Sequence, residues 1–342
     1  MSRRWTVLVA LVLMAAFAFG VNRFLASRQT HVAAASNPEE ARAAFVLPGT
    51  LYMAAQGDLF KLSDGKFTDL HMPSSAGTWM QPALVPGTNN LVAIARQDAY
   101  SELYLVNLSS RTVTLLSHNQ TSSPTIQLNH WMFWPRVAAD GDTVYVSYDA
   151  PKSTQSYEIE FAIWKGALSG NLVQRQQTDP FSYTGGDTEV IPMTNGNLMY
   201  AKYEINNGDV YSRLAIQTVP MNAPAYLTDD TSDCAQPALS PDQTQVAMVC
   251  TNGTGLQSTS LQVATLTGTT LGPPRTLVSD CLCSSPSWAP DGSGLAYLAP
   301  ADATGHFQLW WIAGAGDPTP TAPKQVTTGL DFDGTSPPAW AS

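Results

Sequence analysis

The sequence predicts an all-β protein, a six-bladed β-propeller closed into a ring and preceded by an N-terminal apolar helix. Three observations predict it. A strand–turn–strand motif recurs along the chain at intervals of about fifty residues, the size of one propeller blade. Each copy runs on into two more short apolar stretches, which makes four strands per unit. The sequence ends on a single strand, while its folded part opens on three. Together these ends make up one unit.

The composition agrees. Of 342 residues 13% are charged and 44% hydrophobic, with 24 Gly and 24 Pro. Low charge with many turn formers suits many short strands. Aromatic and β-branched residues recur throughout, which excludes a disordered chain. The net charge is −10, and the first 43 residues hold five of the 17 basic and two of the 27 acidic residues. The rest therefore stands at −13. Such a surface repels phosphate backbones, so nucleic acid is not an expected partner.

At the N-terminus, Met1-Ser-Arg-Arg4 precedes the uncharged run 5–21, and Asn22-Arg23 closes it. This is the layout of a secretory signal. At 17 residues the run also reaches the lower limit for spanning a bilayer. Residues 1–23 are therefore expected to be a signal anchor or a signal peptide, and Ala33-Ala34-Ala35 offers a cleavage site. With Arg3 and Arg4 inside, the bulk of the chain faces outward. Its place is extracytoplasmic, held at the membrane by the apolar helix or secreted if cleaved. Residues 24–48 read as a linker. Asn37-Pro38-Glu39-Glu40 has the cap, the proline and the acids of a short helix start.

Residues 49–342 form the propeller. Ser285-Pro-Ser-Trp-Ala-Pro-Asp-Gly292 and Gln236-Pro-Ala-Leu-Ser-Pro-Asp242 show the motif most fully. Gln81-Pro-Ala-Leu84, Trp134-Pro-Arg-Val137 and Pro338-Ala-Trp340 are further copies. The anchoring prolines Pro82, Pro135, Pro237, Pro286 and Pro338 step by 53, 102, 49 and 52 residues. The double step requires a degenerate copy near Thr188, and Val190-Ile-Pro-Met-Thr-Asn-Gly196 fits there. Outer strands carry Leu-Thr or Val-Thr, as at Tyr226-Leu-Thr228 and Gln325-Val-Thr327. Pro338-Ala-Trp340 and the runs from Thr50, Asp58 and Lys66 complete one blade, which removes the open edges of a linear array. The ring is expected to be a monomer.

The Pro-Ser-Trp-Ala-Pro-Asp-Gly and Pro-Ala-Leu-Ser-Pro-Asp segments resemble the WD40-like PD40 repeat of the TolB propeller family, over about residues 49–342. The resemblance implies the fold and leaves function open. Relatives include periplasmic scaffold proteins, propellers attached to peptidases and a few lyases.

Segments just before innermost strands belong at one mouth of the central channel. They offer Trp79, His130, Trp131 and Trp134 on one side and Asp187, Asp233, Asp280 and Asp333 on the other. Flat apolar faces beside carboxylates suit a peptide, a cationic group or a sugar. The same aspartates also suit turn capping, and the same tryptophans suit packing between blades. Trp288 and Trp340, within the motif, belong to the core.

No Gly-x-Ser-x-Gly elbow or His-x-His pair occurs. The expected function is thus non-catalytic binding of an envelope protein or polysaccharide. The alternative is a channel-mouth lyase or hydrolase that joins His130 with Asp187, Asp233 or Asp333. No cofactor is expected. Nor is a metal, because Asp331-Phe-Asp-Gly334 resembles the start of a calcium loop but lacks its distal Glu.

The four cysteines, Cys234, Cys250, Cys281 and Cys283, suit disulfides in an exported chain. A hairpin turn near residue 242 puts Cys234 opposite Cys250, which leaves Cys281 and Cys283 together. The other pairings would join two blades, and zinc bound by all four thiolates is a further alternative. Thiol titration of the non-reduced, denatured protein should find no free thiol. Four reactive thiols would refute the disulfide assignment.

Overall fold

The computed structural model describes residues 35–122, 128–149, 159–170, 172–251 and 258–342. The N-terminal apolar helix and most of the linker lie outside the described residues. The two helical elements described in full are single 3-10 turns. One, Pro38–Glu40, is capped by the Asn37 side chain, which accepts from the Glu39 N–H at 3.1 Å.

The strands form six antiparallel sheets arranged as a six-bladed propeller. β1 (Thr50–Ala55), β2 (Asp58–Ser63) and β3 (Lys66–Asp69) belong to the closing blade. The first complete blade is β4 (Thr78–Val85), β5 (Asn90–Arg96), β6 (Ser101–Asn107) and β7 (Thr112–Leu115). The second is β8 (Met132–Val137), β9 (Thr143–Tyr148), β10 (Ala162–Ala167) and β11 (Arg175–Gln176). The third is β12 (Asp187–Pro192), β13 (Leu198–Asn206), β14 (Asp209–Gln217) and β15 (Ala225–Tyr226). The fourth has β16 (Cys234–Leu239), β17 (Gln245–Thr251), β18 (Thr259–Thr267), β19 (Thr270–Leu271) and β20 (Arg275–Cys281), the last paired with β18. The fifth is β21 (Ser284–Trp288), β22 (Gly294–Pro300), β23 (Phe307–Ala313) and β24 (Lys324–Gln325). Finally β25 (Ala339–Ala341) adds to β1 as the innermost strand of the closing blade, with Leu51 opposite Trp340.

Each complete blade has the same irregularity in its innermost strand. The ladder slips between Met80 and Ala83, Phe133 and Arg136, Thr188 and Ile191, Ala235 and Ala238, and Ser284 and Ser287. At each slip one residue takes a left-handed backbone: Gln81, Trp134, Glu189, Gln236 and Ser285 have φ between 48° and 59°. The anchoring proline comes next in four of the five. Proline has no N–H for the ladder, and the bulge takes it out of the pairing. The degenerate third copy keeps the bulge at Glu189 and puts Val190 in the proline's place.

The bulge residues link neighbouring blades across the channel. Gln81 Oε1 accepts from the Trp134 N–H at 2.7 Å, Glu189 Oε2 from Gln236 at 2.6 Å, and Gln236 Oε1 from Ser285 at 2.7 Å. The closing blade has Pro337 at the bulge position, which cannot adopt a positive φ or donate. Ser285 Oγ instead donates to the Gly334 carbonyl at 2.8 Å, and Ser336 Oγ accepts from the Gln81 N–H at 2.9 Å. Trp134 has no acceptor, so it cannot pass the chain of bonds to the third blade.

The outer-strand Leu-Thr signal has a similar cause. Thr178, Thr228 and Thr327 Oγ1 each accept a third-strand N–H, from Ile163, Leu214 and Leu309. Ser117 does the same for Leu103. Apolar side chains fill the space between blades, and Trp288 and Trp340 are buried there. The disulfides are Cys234–Cys250 and Cys281–Cys283. The first joins residues paired directly across β16 and β17.

Closure depends on close approach. Gly49 has φ of 69°, and a Cβ there would sit 2.2 Å from the Ala341 carbonyl oxygen. Trp340 Nε1 donates to the Pro48 carbonyl at 2.6 Å. Trp340→Ala removes this buried side chain and its bond, so it should cost about 3–5 kcal/mol of stability in urea unfolding, as buried Trp→Ala changes do. A loss below about 1 kcal/mol would show that Trp340 does not hold the closure.

Candidate binding site at the channel mouth

The mouth in question is the end at which innermost strands begin. Trp131, Phe133 and Trp134 come from the start of β8, and Phe161 lies just before β10. Strand alternation puts Trp131 and Phe133 on one face. Their rings stack, with centroids 5.9 Å apart and planes 15° apart. Phe133 meets Trp134 at 5.6 Å and the edge of Phe161 at 5.7 Å. Trp134 and Phe161 are 6.1 Å apart and nearly perpendicular. All four are half-buried. Backbone bonds fix the cluster against the third blade: the Phe161 N–H donates to Gly185, and Asp187 N–H donates to the Phe161 carbonyl at 2.6 Å. The Arg96 guanidinium lies 5.9 Å from the Trp131 ring, within reach of a cation–π attraction.

The third blade exposes further apolar side chains at this end. Phe181 and Tyr183, in the loop leading into β12, are 46% and 77% exposed. The β13–β14 hairpin turns at Asn207-Gly208, both with positive φ, and carries exposed Ile205 and Val210 near its tip.

The predicted site residues separate into two groups. Trp131 and Trp134 form the cluster, and His130 adjoins it. His130 stacks on Tyr148 at 5.1 Å and faces Asp149 Oδ1 across 3.1 Å from Nδ1. Trp79 does not reach the mouth. It is buried between blades against Tyr104, and its Nε1 donates to the Pro73 carbonyl. The aspartates act chiefly as latches. Asp187 is fully buried with Lys202 Nζ at 3.2 Å. Asp233 accepts from the Ser212 N–H and hydroxyl. Asp333 holds Thr335 and Ser336, and so sets the serine that receives Gln81. Asp280 lies exposed on outer strand β20, away from the others.

Sequence reasoning passed over Phe133, Phe161, Arg96 and Asp149. Phe133 had a signal, since it lies two residues from Trp131 on one strand. Arg96 and Asp149 come from other strands, and no spacing marks them. Asp149 accepts from the Trp131 N–H at 2.9 Å and so fixes the segment that presents the rings.

Two carboxyls inside the ring are displaced upward. Burial pushes Glu189 to about 7, against the opposing pull of the Gln236 N–H and of Arg136. Burial likewise pushes Asp187 to about 6 despite Lys202. A carboxyl that binds its proton more tightly when folded favours the native state at low pH. That contribution fades as pH rises through the folded value. Glu189→Gln keeps an acceptor for Gln236 and removes the titration. Chemical unfolding from pH 5 to 8 should show wild type losing more stability than the variant over this range. Parallel curves would contradict the assignment.

No protein-family model and no curated protein matches the sequence. Solved structures do match in shape. TolB from Acinetobacter baumannii superposes with a TM-score of 0.63 at 17% identity, over 90% of this chain and 68% of that one. A TolB candidate from Agrobacterium tumefaciens gives 0.54 at 13% identity, over 84% and 91%. A gluconolactonase from Xanthomonas campestris gives 0.53 at 11% identity, over 88% and 89%. Likeness at these identities speaks for the fold and not for an activity. In fold, the chain is a TolB-like six-bladed β-propeller.

Proposed function

We propose that this chain is a non-catalytic, extracytoplasmic binding protein, held at the membrane through residues 1–23, that docks an envelope protein or polysaccharide on the mouth of its second and third blades. The observation that carries this reading is the half-exposed cluster of Trp131, Phe133, Trp134 and Phe161, with Phe181 and Tyr183 exposed in the loop that leads into β12. Soluble proteins seldom leave contiguous aromatic surface uncovered without a use for it. Rigid aromatic side chains on a strand scaffold also lose little entropy on binding. The three aspartates that the catalytic alternative would join to His130 are engaged otherwise: Asp187 is paired with Lys202, while Asp233 and Asp333 hold backbone and hydroxyl groups.

The anchor reading rests on the basic start and uncharged run at residues 1–23, and the disulfides suit an oxidising compartment. No helix among the described residues is long and apolar enough to cross a membrane.

The test is retention. Immobilised full-length wild type should capture a protein or glycan from a membrane and envelope extract of the source cells. A Trp131→Ala/Trp134→Ala variant with unchanged melting should lose at least tenfold of it. Equal capture by both would remove the mouth from consideration. Shortening of a captured glycan on standing would favour catalysis over binding.

A further inference from the structure

The other half of the channel contains a differently built cavity of about 320 Å³, lined by the innermost strands of all six blades. One level of it reads Ala83, Arg136, Ile191, Ala238, Ser287 and Ala339 around the ring. The ladder places them alike, each opposite a residue of the second strand: Val92, Tyr145, Met199, Ala247, Ala296 and Tyr52. Five of the six are small or aliphatic, and the sixth is a guanidinium.

The polar groups of the wall are engaged, except those of that guanidinium. The prolines donate nothing. Trp288 Nε1 donates to the Ala238 carbonyl, Trp340 Nε1 to Pro48 and Ser287 Oγ to Pro338. Arg136 has five N–H groups, and one of them bonds the carbonyl of its own neighbour, Pro135, at 3.0 Å. No carboxylate among the described residues lies within ion-pair distance of it. Glu189 acts on it only at longer range. A guanidinium half-buried beside apolar walls, with no carboxylate in direct contact, carries a desolvation cost, and a ligand anion offsets it.

We propose that this cavity is a binding site for a small organic anion, a carboxylate on an apolar body. The carboxylate pairs with the planar fork of Arg136, which fits it bidentately. The body lies against the proline rims and Trp288 and Trp340. This site is separate from the aromatic mouth, and neither depends on the other.

Benzoate is the probe, with benzamide and inorganic phosphate as controls, on the full chain. Calorimetry should show saturable benzoate binding, no benzamide binding, and phosphate at least tenfold weaker than benzoate. Arg136→Gln should weaken benzoate at least tenfold. Unliganded Arg136→Met should melt no lower than wild type at pH 5, where Glu189 holds its proton and is not left as a bare charge. In wild type alone, benzoate should protect Arg136 from phenylglyoxal, read by peptide mass spectrometry. Absent or Arg136-independent benzoate binding, phosphate binding as tightly as benzoate, unprotected labelling, or a clear drop in Arg136→Met melting would each overturn the proposal.

Discussion

In five of the six innermost strands one residue with φ near +50° leaves the ladder, and in three of them its side-chain oxygen then accepts the main-chain N–H of the next blade. A non-glycine residue in this conformation is strained by about 1–2 kcal/mol. Five repetitions are tolerable because each coincides with a bulge that the blade needs anyway. The bulge excuses a proline from the ladder, increases the twist, and turns a side chain toward the channel. Blade spacing, channel lining and the contact between successive blades all derive from this one backbone feature. The closing blade shows how tightly it is specified. Where Pro337 forbids the conformation, Ser336 and Asp333 rebuild the same acceptor from side chains.

The ring of bonds is interrupted at Trp134, and the interruption coincides with the aromatic mouth. The second blade receives such a bond from the first but passes none on from its own bulge, where an indole stands in the place of an amide or carboxylate. Trp134 packs on Phe133 and Phe161 instead. A local rule kept elsewhere is broken at the candidate site, where such departures tend to concentrate.

How much of this was legible depended on what each signal reports. The proline spacing reported the bulge indirectly, so five copies were visible and the third was placed by the doubled interval. It lacks the proline but keeps the bulge at Glu189. The hairpin centre gave the Cys234–Cys250 pairing because register follows from the turn. The mouth was read less completely. An Asp ahead of an innermost strand looks the same in sequence whether it faces a ligand or a neighbouring N–H, and Asp187, Asp233 and Asp333 proved to be latches. Trp79 stands two residues before its bulge and Trp131 three before its own, so strand alternation turns them to opposite faces, and Trp79 is buried like its counterpart Met132. Arg136 was visible only as one letter within a motif. Its meaning depends on five small or aliphatic residues drawn from five other blades.

The pairing of β1 with β25 also sets the order of events during synthesis. Almost the whole chain lies between Leu51 and Trp340, so this contact carries a large loop-closure penalty and belongs to the slow, non-local class of folding steps. Until β25 emerges from the ribosome, β1 presents a row of unpaired backbone groups on a largely apolar strand. Such an edge invites pairing with other chains. For the nascent molecule the last strand is therefore a clasp that fastens late, and any machinery that handles the chain has to shield one open edge for nearly the full time of its making.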